Sequence, residues 1–238
     1  MVKTGIWRTA LLLLLFFAFT LAVMNVDVQP IGPEGTAVGF AAINGAVQNA
    51  FPYSDLFYSL TTYLGYLALL AVGIYGLLGV LQLIKRKSLK KVDHQLICLG
   101  VFFVLTLICY VLFEKLPINY RPVILEEGLE ASYPSSHTML ALCVFGAMMV
   151  PYPQLIPEKK MGLVRILALL LMVISAVGRL LSGVHWLTDI VGSVFLSAAL
   201  ISFYICLLQI HRLRTAAPEE EEDAPVDDGF GDLFRDEQ

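Results

Sequence analysis

The chain has 238 residues, of which 58% are hydrophobic and only 15% are charged. Soluble domains contain roughly 45 to 50% apolar residues, so this composition argues against a soluble globular protein and favours one embedded in a bilayer. The formal net charge of −4 is small, and we expect no nucleic-acid partner. The four cysteines lie within apolar stretches and lack the paired spacing that holds zinc or builds a disulfide framework.

Six hydrophobic segments are long enough, or nearly so, to cross a membrane, which takes about 20 apolar residues in a helix. They are Ile6 to Met24, Phe57 to Ile84, His94 to Phe113, His137 to Leu155, Met161 to Leu181 and His185 to Ile210. The sequence therefore predicts an all-α polytopic membrane protein with six transmembrane helices in one domain, residues 1–215. The first segment also fits a signal peptide, because Lys3 and Arg8 precede a short leucine-rich run. Its cleavage would leave five helices with the same orientation.

Basic residues before helix one, between helices two and three, between four and five, and after six all fall on one side of the predicted membrane. The positive-inside rule assigns that side to the cytoplasm, so we expect both termini there. The opposite side contains three basic residues, Lys115, Arg121 and Arg179. Such residues are scarce on that side unless they have a function, so these three are candidate site residues.

The first outer segment, Asp27 to Ser54, is rich in Gly, Ala and Asn. Its weakly amphipathic stretch Val38 to Val47 fits either a helix on the membrane surface or an ordered connecting loop.

The last residues, 216–238, form an acidic segment that we expect to be a disordered cytoplasmic tail. A docking site for a basic partner is the alternative, but a solvated tail is favoured because acidic blocks repel one another.

Polar residues able to carry chemistry occur in three clusters on the predicted outer side. The clusters are Lys115 to Pro122, Tyr133 to His137, and Gly178 to Asp189. Unrelated polar residues would be scattered over both sides, so this convergence predicts one site.

His185 and Asp189 are four residues apart at the start of the sixth helix, so they share a face. The carboxylate would orient the imidazole and stabilise positive charge on it, leaving the other ring nitrogen free to attack phosphorus. The alternative is a structural pair that caps the helix.

Arg121 and Arg179 carry planar guanidinium groups suited to phosphate oxygens, and Lys115 adds a third charge. Taken singly, each arginine also fits a headgroup anchor. His137 begins a helix after Ser135 and Ser136, where free backbone N–H groups suit an oxyanion and the imidazole is placed to protonate a leaving group. A plain helix cap is the alternative there.

These residues resemble the signatures of the type 2 phosphatidic acid phosphatases, a membrane branch of the superfamily that also contains vanadium haloperoxidases. The family's third signature is Ser-Arg, five residues, His, three residues, Asp, which Arg179, His185 and Asp189 match. Arg121-Pro122 matches the end of the first signature, Lys, six residues, Arg-Pro, and Pro134-Ser135 with His137 matches most of the second, Pro-Ser-Gly-His. In this chain Lys115 is one residue closer to the arginine, Ser136 replaces glycine and Gly178 replaces serine.

The resemblance implies catalytic residues His185 as nucleophile, His137 as general acid and Asp189 as its support. It implies phosphate binding by Lys115, Arg121, Ser135, Ser136 and Arg179, with no metal and no cofactor. The substrate would be a lipid phosphate or diphosphate, of the phosphatidate, phosphatidylglycerol phosphate or polyprenyl diphosphate class. The charge bias places the site on the extracytoplasmic side, and we expect the membrane to be the plasma membrane. The sequence does not indicate an oligomeric state.

Three alternatives remain. A metal-dependent membrane hydrolase would use His137, His185 and Asp189 as ligands, although the converging arginines would repel a metal. An anionic-lipid transporter or binding protein would use the arginines without covalent chemistry, but it needs polar residues at mid-membrane, and the charges lie at helix ends instead. A vanadate-dependent oxidation is conceivable from the superfamily, whereas a membrane-embedded site favours lipid substrates.

Overall fold

The computed structural model describes residues 2–125 and 128–222, with side chains described as far as residue 213. In chain order the helices are α1 (Val2–Asn25), α2 (Ala41–Ala50), α3 (Asp55–Arg86), α4 (His94–Lys115), α5 (Ser136–Met148), α6 (Glu158–Leu181) and α7 (Leu187–Glu222). Short 3-10 turns at Pro33–Gly35 and Leu89–Lys91 lie in the connections. Pairing between extended segments of the described chain is limited to isolated bridges. The predicted all-α architecture is confirmed.

Five of the helices are long and apolar enough to cross a membrane: α1, α3, α4, α6 and the Leu187–Leu213 part of α7. Their surfaces expose large apolar side chains such as Leu14, Leu70 and Ile166. Exposed apolar area on this scale requires an apolar solvent, and a helix satisfies its own backbone there. The chain is therefore an integral membrane protein.

The predicted fourth span, residues 137–155, is represented by α5, which has only 13 residues. At 1.5 Å per residue α5 is about 20 Å long, which is shorter than the hydrocarbon core of about 30 Å. Pro151 and Pro153 follow it closely, and proline cannot continue a helix. The described structure thus contains five candidate spans and one shorter apolar helix.

Helix α5 lies at the centre of the bundle, in contact with α3, α4, α6 and α7. Most of its residues are buried. Small side chains at Ala68, Ala141 and Ala168 allow α3, α5 and α6 to approach one another closely. Because protein surrounds it, α5 does not have to match the thickness of the bilayer.

Helix α7 packs against α1, α4 and α5 and extends to Glu222. Residues 216–222 of the predicted acidic tail therefore belong to this helix. Residues 223–238, the rest of that predicted tail, lie outside the described residues.

The first outer segment contains an isolated bridge between Gln29 and Val38, followed by α2. Helix α2 buries Ala41 and Asn44 and exposes Ile43. It contacts the start of α7. The segment that the sequence left open between a surface helix and a connecting loop thus contains a helix docked on the bundle.

Candidate active site

The three polar clusters predicted from the sequence meet at one end of the bundle. Arg179 lies in the last turn of α6, His185 in the turn that follows, and Asp189 in the first turn of α7. His137 is the second residue of α5, and Arg121 comes from the loop between α4 and α5. Arg179, Arg121 and His137 act electrostatically on the His185 imidazole, and Asp189 lies close to it, as detailed below.

His185 and Asp189 are both buried, with exposures of 2% and 0%. Nδ1 of His185 lies 3.4 Å from Oδ2 of Asp189. The same Oδ2 accepts a hydrogen bond of 2.9 Å from the backbone N–H of Trp186, so the carboxylate also caps α7. The carboxylate thus caps α7, as the structural alternative expects, and it also lies within reach of the imidazole. Neither ring nitrogen of His185 completes a hydrogen bond with a described group.

The environment of His185 keeps its imidazole neutral. Burial lowers the pKa of His185 well below its usual value, and the charges of Arg179, Arg121 and a protonated His137 lower it further. The backbone carbonyl of Ser132 faces the ring and acts in the opposite direction. A neutral imidazole retains the lone pair that a nucleophile needs.

Arg179 is a buried guanidinium held on several sides, with 1% exposure. Its Nη1 donates to Oγ1 of Thr61 at 3.3 Å, and its carbon Cζ lies 5.0 Å from the ring centroid of Tyr58. Its Nη2 lies 3.4 Å from Nδ1 of His137. Because a guanidinium only donates, Nδ1 is the acceptor, and the proton of a neutral His137 belongs on Nε2. Nε of Arg179 has no hydrogen-bond partner among the described groups.

Arg121 is held in a short hairpin formed by the loop between α4 and α5. A bridge joins Tyr120 to Ala131, and the backbone N–H of Arg121 donates to the carbonyl of Glu130 at 3.0 Å. Nη1 of Arg121 also lies 2.7 Å from Oε2 of Glu130. Part of the charge of Arg121 is therefore balanced within the protein, by a residue that the sequence analysis did not single out.

Ser135 is the N-cap of α5. Its hydroxyl accepts from the backbone N–H of Thr138 at 3.4 Å and bonds the Thr138 hydroxyl at 2.9 Å, while its carbonyl accepts from Ser193. The capping alternative thus describes Ser135, whose hydroxyl could donate to phosphate while keeping these bonds only if the Thr138 hydroxyl is the donor between them. Ser136 is buried next to His137 and lines the cavity described below.

Lys115, the last residue of α4, is exposed. The charged groups that influence His185 are Arg179, Arg121 and His137, and Lys115 is not among them. In the part of the chain that the structure describes, no hydrogen bond or ion pair joins Lys115 to the cluster.

An apolar cavity of about 420 Å³ ends at the site. It lies between α3, α4 and α5, and its wall includes Leu69, Phe103 and Leu107. Ser136 and His137 line it as well, so an apolar chain in the cavity would have its polar end beside His137. Across the described ranges, no group of three or more His, Cys, Asp or Glu side chains is arranged to hold a metal ion.

The sequence profile of the PAP2 superfamily matches residues 93–212, which is half of the chain. The chain belongs to the PAP2 superfamily. A solved structure with the same fold is a transmembrane PAP2-type phosphatidylglycerolphosphate phosphatase from Bacillus subtilis, with 19% identity and a TM-score of 0.60, covering 92% of this chain and 99% of that one. No curated protein matches the sequence. The resemblance found in the sequence is thereby confirmed.

The structure explains why this PAP2 protein has glycine at position 178. A Cβ atom there would lie 2.8 Å from Cγ2 of Thr61, so a serine would require the Thr61 side chain or its helix to shift. Thr61 also supplies a hydroxyl to Arg179. A threonine on α3 therefore occupies the space beside the arginine where the family signature has serine.

Several residues around this PAP2 site had escaped the sequence analysis. Thr61 and Tyr58 hold Arg179 from α3, and nothing in their spacing marks them as site residues. Asn119 and Ser132 are buried beside the carboxylate of Asp189, and neither Nδ2 of Asn119 nor the Ser132 hydroxyl completes a hydrogen bond with a described group. The one sequence feature that could have indicated Asn119 as a site residue is its polar side chain between Ile118 and Tyr120, within the first signature.

Proposed function

We propose that this PAP2 protein hydrolyses a lipid phosphate or diphosphate through a phosphohistidine at His185. The observation that carries this proposal is the buried charge of Arg179. Of the residues that the structure describes, no carboxylate forms an ion pair with it. A buried cation without a counter-charge is costly, so the site is built for an anion, and the neutral imidazole beside it is a nucleophile for phosphorus.

The proposed reaction has two steps. In the substrate complex, the bound phosphate favours the imidazolium form of His137 over the free form, in which Nδ1 accepts from Arg179. Nε2 of His185 attacks phosphorus and the bond to the leaving oxygen breaks, while the His137 imidazolium transfers its Nε2 proton to that oxygen and becomes neutral. Water, deprotonated by His137, then attacks the phosphohistidine and releases inorganic phosphate. Asp189 stabilises the positive charge that His185 carries between the steps.

Arg121 and Arg179 bind the phosphate oxygens in this proposal. Lys115, Ser135 and Ser136 belong to the proposed phosphate-binding set by their place in the signatures. Of these three, Ser136 has the most support, because it lines the cavity next to His137.

The apolar cavity supports a lipid as the substrate. It is bounded mainly by apolar side chains and begins at the general acid, so it suits a hydrocarbon chain attached to a phosphate held by the arginines. The substrate belongs to the phosphatidate, phosphatidylglycerol phosphate or polyprenyl diphosphate class. The related structure carries the name of a phosphatidylglycerolphosphate phosphatase.

A panel assay tests this function and separates it from the alternatives. Purified protein in detergent should release phosphate from at least one of these three lipid classes, and excess EDTA should leave the rate unchanged. A metal-dependent hydrolase would lose its activity in EDTA. A transporter or binding protein would release no phosphate from any lipid of the panel, which would overturn the proposal.

We further propose that six helices cross the membrane, with α5 as the short one, and that both termini face the cytoplasm. The distribution of basic residues supports this orientation, because it places the loop between α3 and α4 inside and the site outside.

Cysteine labelling of intact cells tests the orientation. In a variant whose four native cysteines are replaced by alanine, a cysteine at the exposed Ile124 should react with an impermeant maleimide in intact cells. A cysteine at the exposed Lys87 should react only after the cells are permeabilised. The reverse pattern would place the site in the cytoplasm.

A bulky side chain in the cavity should lower the rate of lipid phosphate hydrolysis without changing the rate of phosphate transfer from a small substrate. Leu69 lines the cavity and its neighbour Leu70 does not, although both side chains are exposed, so Leu69→Trp and Leu70→Trp are matched variants. We expect Leu69→Trp to lower kcat/KM for a long-chain lipid phosphate by about tenfold, the value of roughly 1.4 kcal/mol of lost binding. Hydrolysis of a water-soluble aryl phosphate should stay within about twofold.

Equal behaviour of the Leu69→Trp and Leu70→Trp variants toward the lipid would contradict binding of the hydrocarbon chain in this cavity.

A further inference from the structure

Asn44, on α2, is bonded to the start of α7. It is fully buried, with 0% exposure. Its Oδ1 accepts from the backbone N–H of Thr188 at 3.2 Å, and its Nδ2 donates to Oγ1 of Thr188 at 3.0 Å and to the carbonyl of Gly39 at 2.8 Å. A buried amide is stable only when bonded in this way. Asn44 thus fixes the residue that directly precedes Asp189.

Gln48 lies one helical turn further along α2, on the same face as Asn44. Its Nε2 donates to the carbonyl of Gly183 at 3.0 Å. Gly183 has a φ of +67°, and a Cβ atom there would lie 2.6 Å from the backbone carbon of Pro52, so the two chain segments touch at backbone level. The turn before α7 is therefore held at its first residues as well as at its last.

His185 lies between these two points of attachment. Its ring nitrogens complete no hydrogen bond with a described group, and Nδ1 remains 3.4 Å from Asp189. The position of the imidazole therefore depends on the backbone of the turn and on packing. Whatever holds residues 183–188 in place also sets the distance from His185 to the phosphorus atom.

We propose that α2 is a positioning element for the nucleophile, in which Asn44 and Gln48 together hold the turn that carries His185. This proposal rests on the function proposed above. Helix α2 precedes residues 93–212, the part of the chain that the PAP2 profile covers. The contribution of α2 therefore comes from a segment that the family signatures do not include.

Alanine variants test the proposal against an internal control. Asn49 lies on the same helix and is exposed, so Asn49→Ala is matched to Asn44→Ala. We expect Asn44→Ala to lower kcat by about 10- to 100-fold, because a displacement of about 1 Å has an effect of that size. KM should stay within about threefold, since the arginines and the cavity are unchanged.

The kcat values of the other α2 variants should decrease with the number of hydrogen bonds that each variant loses. Asn44→Asp retains an acceptor for the Thr188 N–H but loses the donor, so its kcat should lie between the wild-type and alanine values. Gln48→Ala removes one bond and should lower kcat less than Asn44→Ala. Asn49→Ala should match wild type. If Asn44→Ala does not fold, Asn44→Asp and Gln48→Ala carry the test.

Two further measurements separate positioning from a purely structural role. The rate of phosphohistidine formation, measured in a single turnover stopped with alkaline detergent, should fall in parallel with kcat. Hydrogen exchange of the peptide covering residues 183–189 should be faster in Asn44→Ala and Gln48→Ala than in Asn49→Ala.

Four results would contradict a positioning role of α2 or the function on which it rests. Unchanged exchange in this peptide, or faster exchange with unchanged phosphohistidine formation, would overturn the proposal. A loss of kcat that Asn49→Ala shares would overturn it as well. If the wild-type chain releases no phosphate from any lipid, the proposed function fails, and the exchange experiment still reports whether α2 holds the turn.

Discussion

Replacing His185 with alanine is expected to abolish turnover and phosphoenzyme formation, by on the order of 10⁴-fold or more. The buried neutral imidazole is the nucleophile in the proposed reaction, and water in the same place cannot form the covalent intermediate. Wild-type protein quenched during turnover should carry acid-labile phosphate, and His185→Ala should carry none. His211→Ala is the control, because that histidine stacks on His94 in another part of the bundle.

His137→Ala should differ from His185→Ala in its dependence on the leaving group. A general acid typically contributes about 10²- to 10⁴-fold, and it matters less when the leaving group needs no proton. With an activated aryl phosphate, His137→Ala should therefore recover much of its rate. Asp189→Asn should fall between the two, because the imidazole loses its orienting charge while the cap on Trp186 keeps an acceptor. Turnover of the aryl phosphate by His185→Ala near the wild-type rate would refute the covalent mechanism.

Arg179→Lys should lower kcat/KM by about 10²- to 10³-fold, the usual effect of removing a donor that stabilises transition-state charge. Lysine keeps the charge but lacks the planar set of donors, so it cannot bond Thr61 and the phosphate while lying over Tyr58. Inhibition by vanadate, a phosphate analogue, should weaken in parallel. Steady-state kinetics and vanadate titration in detergent provide the measurement.

Arg165→Lys is the matched control, since Arg165 lies on the same helix, is solvent-exposed at its bond to the Met149 carbonyl and is not part of the site. It should retain the wild-type rate. If Arg179→Lys keeps kcat/KM within about threefold of wild type, a positive charge alone is sufficient at this position. The prediction that the planar guanidinium bonds two phosphate oxygens would then be wrong.

The two buried arginines have different partners, and this difference bears on the chemistry. Arg121 has a carboxylate at 2.7 Å, whereas Arg179 is bonded to neutral groups, a threonine hydroxyl and a histidine nitrogen. In the proposed reaction, the phosphate would therefore supply the missing counter-charge mainly to Arg179. Arg121 is held by its hairpin in an orientation that Glu130 has already fixed.

The sequence by itself determined the membrane character, most of the helices and the family, and it predicted which polar residues would lie together. Runs of about 20 apolar residues have few alternatives to a helix in a bilayer, because every backbone group has to be bonded internally. The short fixed spacing of Arg179, His185 and Asp189 within one helix-turn-helix corner made their proximity predictable, because little chain separates them.

Only the tertiary structure decided what lies beyond that local spacing. The short helix α5 is stable because neighbouring helices bury it. Hydropathy alone does not predict this burial. Ser135 caps a helix, Glu130 pairs with Arg121, and Asn44 reaches a turn 144 positions away in sequence. Such contacts join segments that are distant along the chain, so they depend on how the helices pack. The local pattern of residue types does not predict them.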